Sequence, residues 1–245
     1  MAKFFTSFAI VGALALTLGL TAAFASHAGY SLFGDAEIVP GGTSGNAVQL
    51  RSDATPGFGG VDYDVPTTTF AMFNTLATDY KFEADDTCGG GSPRFQINMV
   101  SPSGTDTGSI FVYIGPPPAY TACPPSVWLN TGDLLEGVLP IDTSQLDGGT
   151  FYDPYATALI KYGNYTVTGV QLVVDGAWFP LFLDGEQTGL FDNTNIDGDI
   201  FTYDEGRHVT SKDDCKDGGW MNLVTDDGKP FKNQGDCVSY ANRGK

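Results

Sequence analysis

The sequence predicts an all-β protein, an antiparallel β-sandwich of jelly-roll type, followed by a small disulfide-closed C-terminal helical hairpin. Three observations lead there. Over residues 29–205, Gly, Pro, Asp and Asn recur at short intervals between runs of alternating or β-branched apolar residues, the punctuation of many short strands. That stretch sustains no helical periodicity and shows no βαβ rhythm, so two packed antiparallel sheets are favoured over a parallel one. After Glu205 the composition turns charged and polar, and two of the four cysteines lie there.

The chain opens with Lys3, runs through an apolar stretch from Phe4 to Leu20 and reaches Ala23-Phe24-Ala25 before Ser26. This is the order of a secretory signal peptide, assigned to residues 1–25. A membrane anchor is the competing reading, because the run approaches the roughly 20 residues that cross a bilayer. The small-x-small site favours cleavage and a secreted, extracellular protein with no transmembrane segment in the mature chain.

Residues 26–205 form the expected sandwich, with strands over 47–51, 68–73, 78–82, 94–99, 109–114, 158–162, 164–174 and 200–203. Residues 165–174 begin with a period of two, so one face of that strand is buried. Asp197-Gly198, between Ile196 and Ile200, is the signature of a tight hairpin whose central residues take positive φ. Gly115-Pro116-Pro117-Pro118 cannot lie in a central strand, because three prolines supply no backbone donors.

Residues 206–245 form the expected appendage. Ser211 followed by Asp214 reads as one helix start, ended by Gly218-Gly219, and a second helix is placed after Asn233. Helices this short need a staple. An even cysteine count in an exported chain reads as disulfides. Among the three connectivities, Cys88–Cys123 and Cys215–Cys237 join near neighbours and keep each bridge within one region. Trp220, Leu223, Phe231 and Val238 would supply the miniature core of the appendage.

The tail residues Ser211-Lys212-Asp213-Asp214-Cys215-Lys216-Asp217-Gly218-Gly219-Trp220 and Phe231-Lys232-Asn233-Gln234-Gly235-Asp236-Cys237-Val238-Ser239-Tyr240 resemble a known C-terminal element. It is found on uncharacterised exported bacterial β-domain proteins, with the pattern C-K-N-G-G-W, a spacer, then F-K-N-Q-G-D-C-V. Asp217 departs from the usual Asn, and Asp226-Asp227-Gly228 lengthens the spacer. Cys88-Gly89-Gly90-Gly91-Ser92-Pro93-Arg94-Phe95 and Trp128-Leu129-Asn130-Thr131-Gly132 resemble the accompanying β domain. The resemblance implies bacterial export and a two-part layout, and transfers no activity.

A formal net charge of −17 repels phosphate backbones and excludes nucleic acid as a partner. Zinc is disfavoured, since no Cys-x2-Cys pair exists and the two histidines are His27 and His208. No metal ligands are therefore assigned, and no catalytic residues either. The Glu-x-Asp-x-x-Glu strand motif of laminarinase-like glycosidases is absent, and the glutamates stand singly. No Gly-x-Ser-x-Gly elbow occurs. Residues 193–204 can be aligned with a calcium loop, but asparagine stands first, Asp204 replaces the closing glutamate and no helices flank it. The hairpin explains Asp197-Gly198 without an ion, and calcium is left open as a ligand of other loops.

The aromatic residues point most directly to a function. Flat rings with a polar edge suit the faces of sugars, and Tyr113, Tyr120 and Trp128 surround the proline-rich loop. Tyr152, Tyr155, Tyr162 and Tyr165 form a second group, and Trp178 follows the strongest strand. Trp128 has a competing reading as packing over a disulfide. Arg94, after a triple glycine that permits close backbone approach, would clamp ligand hydroxyls or a carboxylate, or else pair with Asp85 or Asp86. The expected binding residues are thus Tyr113, Tyr120, Trp128 and Arg94, on a non-catalytic module for extracellular or cell-wall glycans. The alternatives are a structural surface protein that self-associates and, third, a secreted hydrolase.

Overall fold

The computed structural model describes residues 29–43, 45–53, 57–136, 139–176, 186–203, 207–209, 211–216, 218–225 and 231–243. The expected signal peptide, Trp178 and Asp204 lie outside the described residues. The strands in chain order are β1 (Tyr30–Pro40), β2 (Asn46–Ser52), β3 (Gly59–Tyr63), β4 (Thr68–Thr69), β5 (Leu76–Phe82), β6 (Arg94–Val100), β7 (Thr107–Tyr113) and β8 (Leu129–Asn130). They continue with β9 (Pro140–Ile141), β10 (Asp153–Pro154), β11 (Thr166–Val174), β12 (Gln187–Ile196), β13 (Asp199–Phe201), β14 (Arg207–His208) and β15 (Leu223–Val224). Two helices are present among these residues, α1 (Tyr155–Tyr162) and α2 (Gln234–Asn242).

One large sheet runs β7-β6-β11-β3-β1-β2-β12-β5-β8, with β4 added to β11 and β13 to β12. All its pairings are antiparallel. The sheet curls at β1, whose first half, Tyr30 to Gly34, pairs with β3 and whose second half, Asp35 to Pro40, pairs with β2. Gly34 sits at the bend with φ +65°, and a Cβ there would lie 2.3 Å from the Phe58 carbonyl oxygen, so only glycine fits. The two halves of the curl enclose a single core. Val61, Phe95, Ile110 and Leu172 come from one side, and Leu50, Leu76, Phe82 and Phe191 from the other. Each such side chain contributes about 1.5–3 kcal/mol on burial.

Strict alternation sets which side chains face outward. In β5, Leu76, Thr78, Tyr80 and Phe82 point inward. In β6, Phe95, Ile97 and Met99 do so, leaving Arg94, Gln96 and Asn98 on the outer face. Ile110 and Val112 of β7 are likewise buried, which turns Phe111 and Tyr113 outward beside Gln96 and Arg94. A polar seam also crosses the core, where the Tyr63 hydroxyl lies 2.6 Å from that of Tyr203 and donates to Thr194. The Asp197-Gly198 hairpin is present, with φ of 55° and 98°.

Two strand expectations are corrected. Residues 158–162 belong to α1, because Tyr155, Ala158, Leu159 and Tyr162 follow the helical i, i+3, i+4, i+7 spacing and pack on the core. Ile160 faces solvent. Residues 68–73 are strand only at Thr68 and Thr69; a single 3₁₀ turn, Phe70–Met72, then drives the Phe70 ring into the core.

The tail has its own cluster of Val209, Cys215, Leu223, Phe231 and Cys237, with Trp220 and Val238 packed against it. Cys215 and Cys237 are bridged, and Asn233 caps α2 by accepting from the Asp236 amide at 2.9 Å. The expected helix after Ser211 is not formed among the described residues. Its amides make turn bonds to the third residue back, Asp214 to Ser211 and Lys216 to Asp213, and a 3₁₀ turn, Gly219–Asn222, follows. One helix closed against turns therefore stands where a helical hairpin was expected. No described helix is long and apolar enough to cross a membrane.

Candidate functional site

The outward residues of β6 and β7 form the floor of a cleft of about 570 Å³, lined by Arg94, Phe111, Tyr113, Tyr120, Asp142, Phe151, Tyr152 and Asp175 among others. Two loops build its walls. Residues 114–125 carry Tyr120, and residues 142–152 carry Phe151 and Tyr152.

The first loop is held by the Cys88–Cys123 disulfide. Gly115 lies so close to it, at φ +136°, that a Cβ would be 2.7 Å from Cys88 Sγ. The Tyr120 amide donates to the Pro116 carbonyl at 2.9 Å, and its hydroxyl donates to the Pro140 carbonyl at 3.2 Å. The Tyr120 ring is 5 % exposed, and burial followed by the nearby Tyr152 raises its pKa.

The second loop starts as an extra strand-like segment on the free edge of β7, where Phe111 and Asp142 exchange both backbone hydrogen bonds. This covers an edge that would otherwise be open to pairing. Farther along, the buried Asp153 carboxylate accepts from Thr143 Oγ1 at 3.0 Å and from Lys161 Nζ at 2.6 Å. Lys161 also donates to the Gly148 carbonyl, and Tyr162 to that of Asp147. These bonds pin the base of the loop and leave its tip outside, with Phe151 67 % and Tyr152 50 % exposed.

Three tyrosines meet where the loops converge. The Tyr113 ring centroid is 5.6 Å from Tyr120 and 6.3 Å from Tyr152. Tyr120 and Tyr152 are near-parallel, at 5° and 6.4 Å. Both also hold positive φ, 51° and 56°, a conformation costing bulky residues of order 1–3 kcal/mol each. The triple-glycine turn approaches the same group, a Cβ on Gly91 lying 3.2 Å from the Tyr113 ring.

The polar groups of the cleft are largely committed. Arg94 makes two parallel bonds to Asp175, both 2.7 Å, and its remaining donors go to the Gly91 carbonyl and Gln96 Oε1. Its flat face lies 4.7 Å from the Phe111 ring. The expected partners Asp85 and Asp86 are thus replaced by Asp175, which β11 brings alongside β6. Asp142, 1 % exposed, accepts from the Tyr113 hydroxyl and from the Ser144 amide. Burial first, and then Asp142, push the Tyr113 phenol well above its ordinary pKa.

Three of the four expected binding residues, Arg94, Tyr113 and Tyr120, therefore line one cleft. Trp128 is elsewhere, partly exposed beneath the Lys81 ammonium, 5.5 Å from its ring. Tyr152, of the second aromatic group in the sequence, joins those three here, whereas Tyr155 and Tyr162 of that group serve the core. Asp142 and Phe151 carried no signal, since their roles depend on the segment that lies along β7.

Residues 193–204 hold no arrangement for calcium among the described positions. Asp197 accepts from the Asn74 amide, Asn193 donates to Asp79 and Thr43, and Thr194 is buried against Thr78. No group of three or more His, Cys, Asp or Glu among the described residues is disposed to hold a metal.

No protein-family model matches the chain, and no curated protein does. Among solved structures, the chain is similar to a family 11 carbohydrate-binding module from Clostridium thermocellum in complex with a β-1,3-1,4-mixed-linked tetrasaccharide. The identity is 16 %, the TM-score 0.38, and the match covers 70 % of this chain and 89 % of that one.

Proposed function

We propose that the chain is an exported, non-catalytic glycan-binding module on a jelly-roll-like sandwich, with the ligand held in the tyrosine cleft between residues 114–125 and 142–152. One observation carries the reading: Tyr120 and Tyr152, on two separately anchored loops, hold near-parallel rings in a disfavoured backbone conformation. Such strain clusters where a surface is shaped for a ligand. Walls already fixed by a disulfide and by the Asp153 anchor lose little entropy on binding, so a few rings suffice for weak attachment to sugars. The two cleft carboxylates each serve a protein partner, Asp142 serving Tyr113 and Asp175 serving Arg94, which favours binding over hydrolysis.

Affinity electrophoresis through gels containing mixed-linkage glucan, xylan, soluble chitin or chitosan tests this. Retardation by at least one glycan, abolished in Tyr152→Ala, supports it. Free migration in every gel, together with concentration-dependent assembly in sedimentation, would replace it with a self-associating surface protein.

A further inference from the structure

Among the described residues the formal charges lining the cleft are one cation, Arg94, against two carboxylates, Asp142 and Asp175, while Thr121, Ser144, Gln145 and Tyr152 add neutral groups able to donate or accept. Arg94, the only cation among the described lining residues, has every N–H turned to protein acceptors and is matched by Asp175. The Tyr113 proton is committed to Asp142 and the Tyr120 proton to the Pro140 carbonyl. The Tyr113 and Tyr120 oxygens are left with acceptor capacity alone toward the cleft. Asp142 adds a second carboxylate, and among the described residues no Lys or Arg pairs with it. The ring faces of Tyr113 and Tyr152 carry the negative side of their quadrupoles, which attracts cations at short range.

Resting on the glycan reading, we propose that this cleft selects sugars bearing a protonated amine, the glucosamine-type units of de-N-acetylated polysaccharides, over neutral and acidic ones. An ammonium brings only donors and a positive charge, which suits aromatic ring faces and two carboxylates of which only Asp175 has a cationic partner. A uronate would meet Asp142 and Asp175 with no free cation to receive it. An N-acetyl group would replace the cation with a neutral amide.

The test is calorimetric titration with short glucosamine oligomers, their N-acetylated counterparts, a neutral mixed-linkage glucan tetramer and an oligouronate. It is run at mildly acidic pH, where the amine is protonated and ordinary carboxylates stay ionised. Binding of the glucosamine oligomer about tenfold or more tighter than its N-acetylated form, weakening with added salt, is the expected result. Because the whole surface is acidic, the site is located by variants. Tyr152→Ala should abolish the preference, whereas Asp199→Asn, an exposed carboxylate outside the cleft, should keep it. Equal affinity for amine and N-acetyl forms, or a preference for the uronate, overturns the selectivity and leaves glycan binding standing. Amine binding that survives Tyr152→Ala overturns it as surface attraction, and no binding to any oligomer sinks both readings.

Discussion

The rings of Tyr120 and Tyr152, 32 positions apart in the chain, lie within 5° of parallel, and both residues hold positive φ. A glycine at either position would relax the backbone and remove the ring. Tyr152→Gly should therefore be more stable than Tyr152→Ala by about 1 kcal/mol, while both lose glycan retention alike. Thermal melts beside the affinity gels read the two effects separately. Equal stability of the two variants would show that the loop relaxes freely and is not a preset wall.

Arg94 and Asp175 join β6 to the end of β11 at the cleft floor. Arg94→Lys keeps the charge but cannot make the forked pair or lie flat on Phe111. It should cost about 1 kcal/mol in denaturant unfolding, since it leaves half-buried acceptors unmatched. Glycan affinity should fall only as far as the floor loosens. Loss of binding without loss of stability would make Arg94 a direct ligand contact.

Trp128 lies outside the cleft with Lys81 over its ring. Trp128→Ala should leave retention on glycan gels unchanged and cost less than about 1 kcal/mol beyond the lost packing, the size of an exposed cation–π contact. Breaking Cys88–Cys123 by a double Cys→Ser change acts in the opposite way. The 35-residue separation corresponds to about 4 kcal/mol in the chain-entropy model, and both stability and binding should drop as the 114–125 loop loses its anchor.

In the tail, Cys215–Cys237 spans 22 residues, which corresponds to roughly 3 kcal/mol in the same model. That stabilisation should be local. A Cys215→Ser, Cys237→Ser double variant should lose hydrogen-exchange protection in α2 and keep it in β5, β6 and β12. Loss of protection throughout would join the tail to the curled sheet as one cooperative unit.

Alkali should unfold the protein through its buried phenols. Tyr63 and Tyr203 are fully buried and their pKa values are raised, first by burial; Tyr165, bonded to Asp106, is pushed up to about 12. Below the ordinary tyrosine value of 10.0 these groups are protonated in both states and stability does not depend on them. Above it, the unfolded chain releases protons that the fold retains, so stability falls with pH. A melting temperature that drops steeply above pH 10, and less steeply in Tyr203→Phe, is the expected result.

The residues by themselves determined the β character, the strands around 78–82 and 94–99 and the Asp197-Gly198 hairpin. Period-two burial and turn chemistry are local and need no partner to be read. They also pointed to Tyr113, Tyr120 and Arg94, because rings beside prolines and an arginine after glycines are unusual in a short span. What they could not reach were choices made by neighbours distant in sequence. The run 158–162 suits a short strand or one helical face equally, and packing of Tyr155 and Tyr162 on the core chose the helix. β12 buries most of both faces, which erases the alternation that marks a half-buried strand. The cleft depends on residues 140–142 lying along the edge of β7, which brings Asp142 to Tyr113 and sets Tyr152 against Tyr120. Pairing between Phe111 and Asp142, 31 positions apart, is a property of the assembled sheet, and no local pattern encodes it.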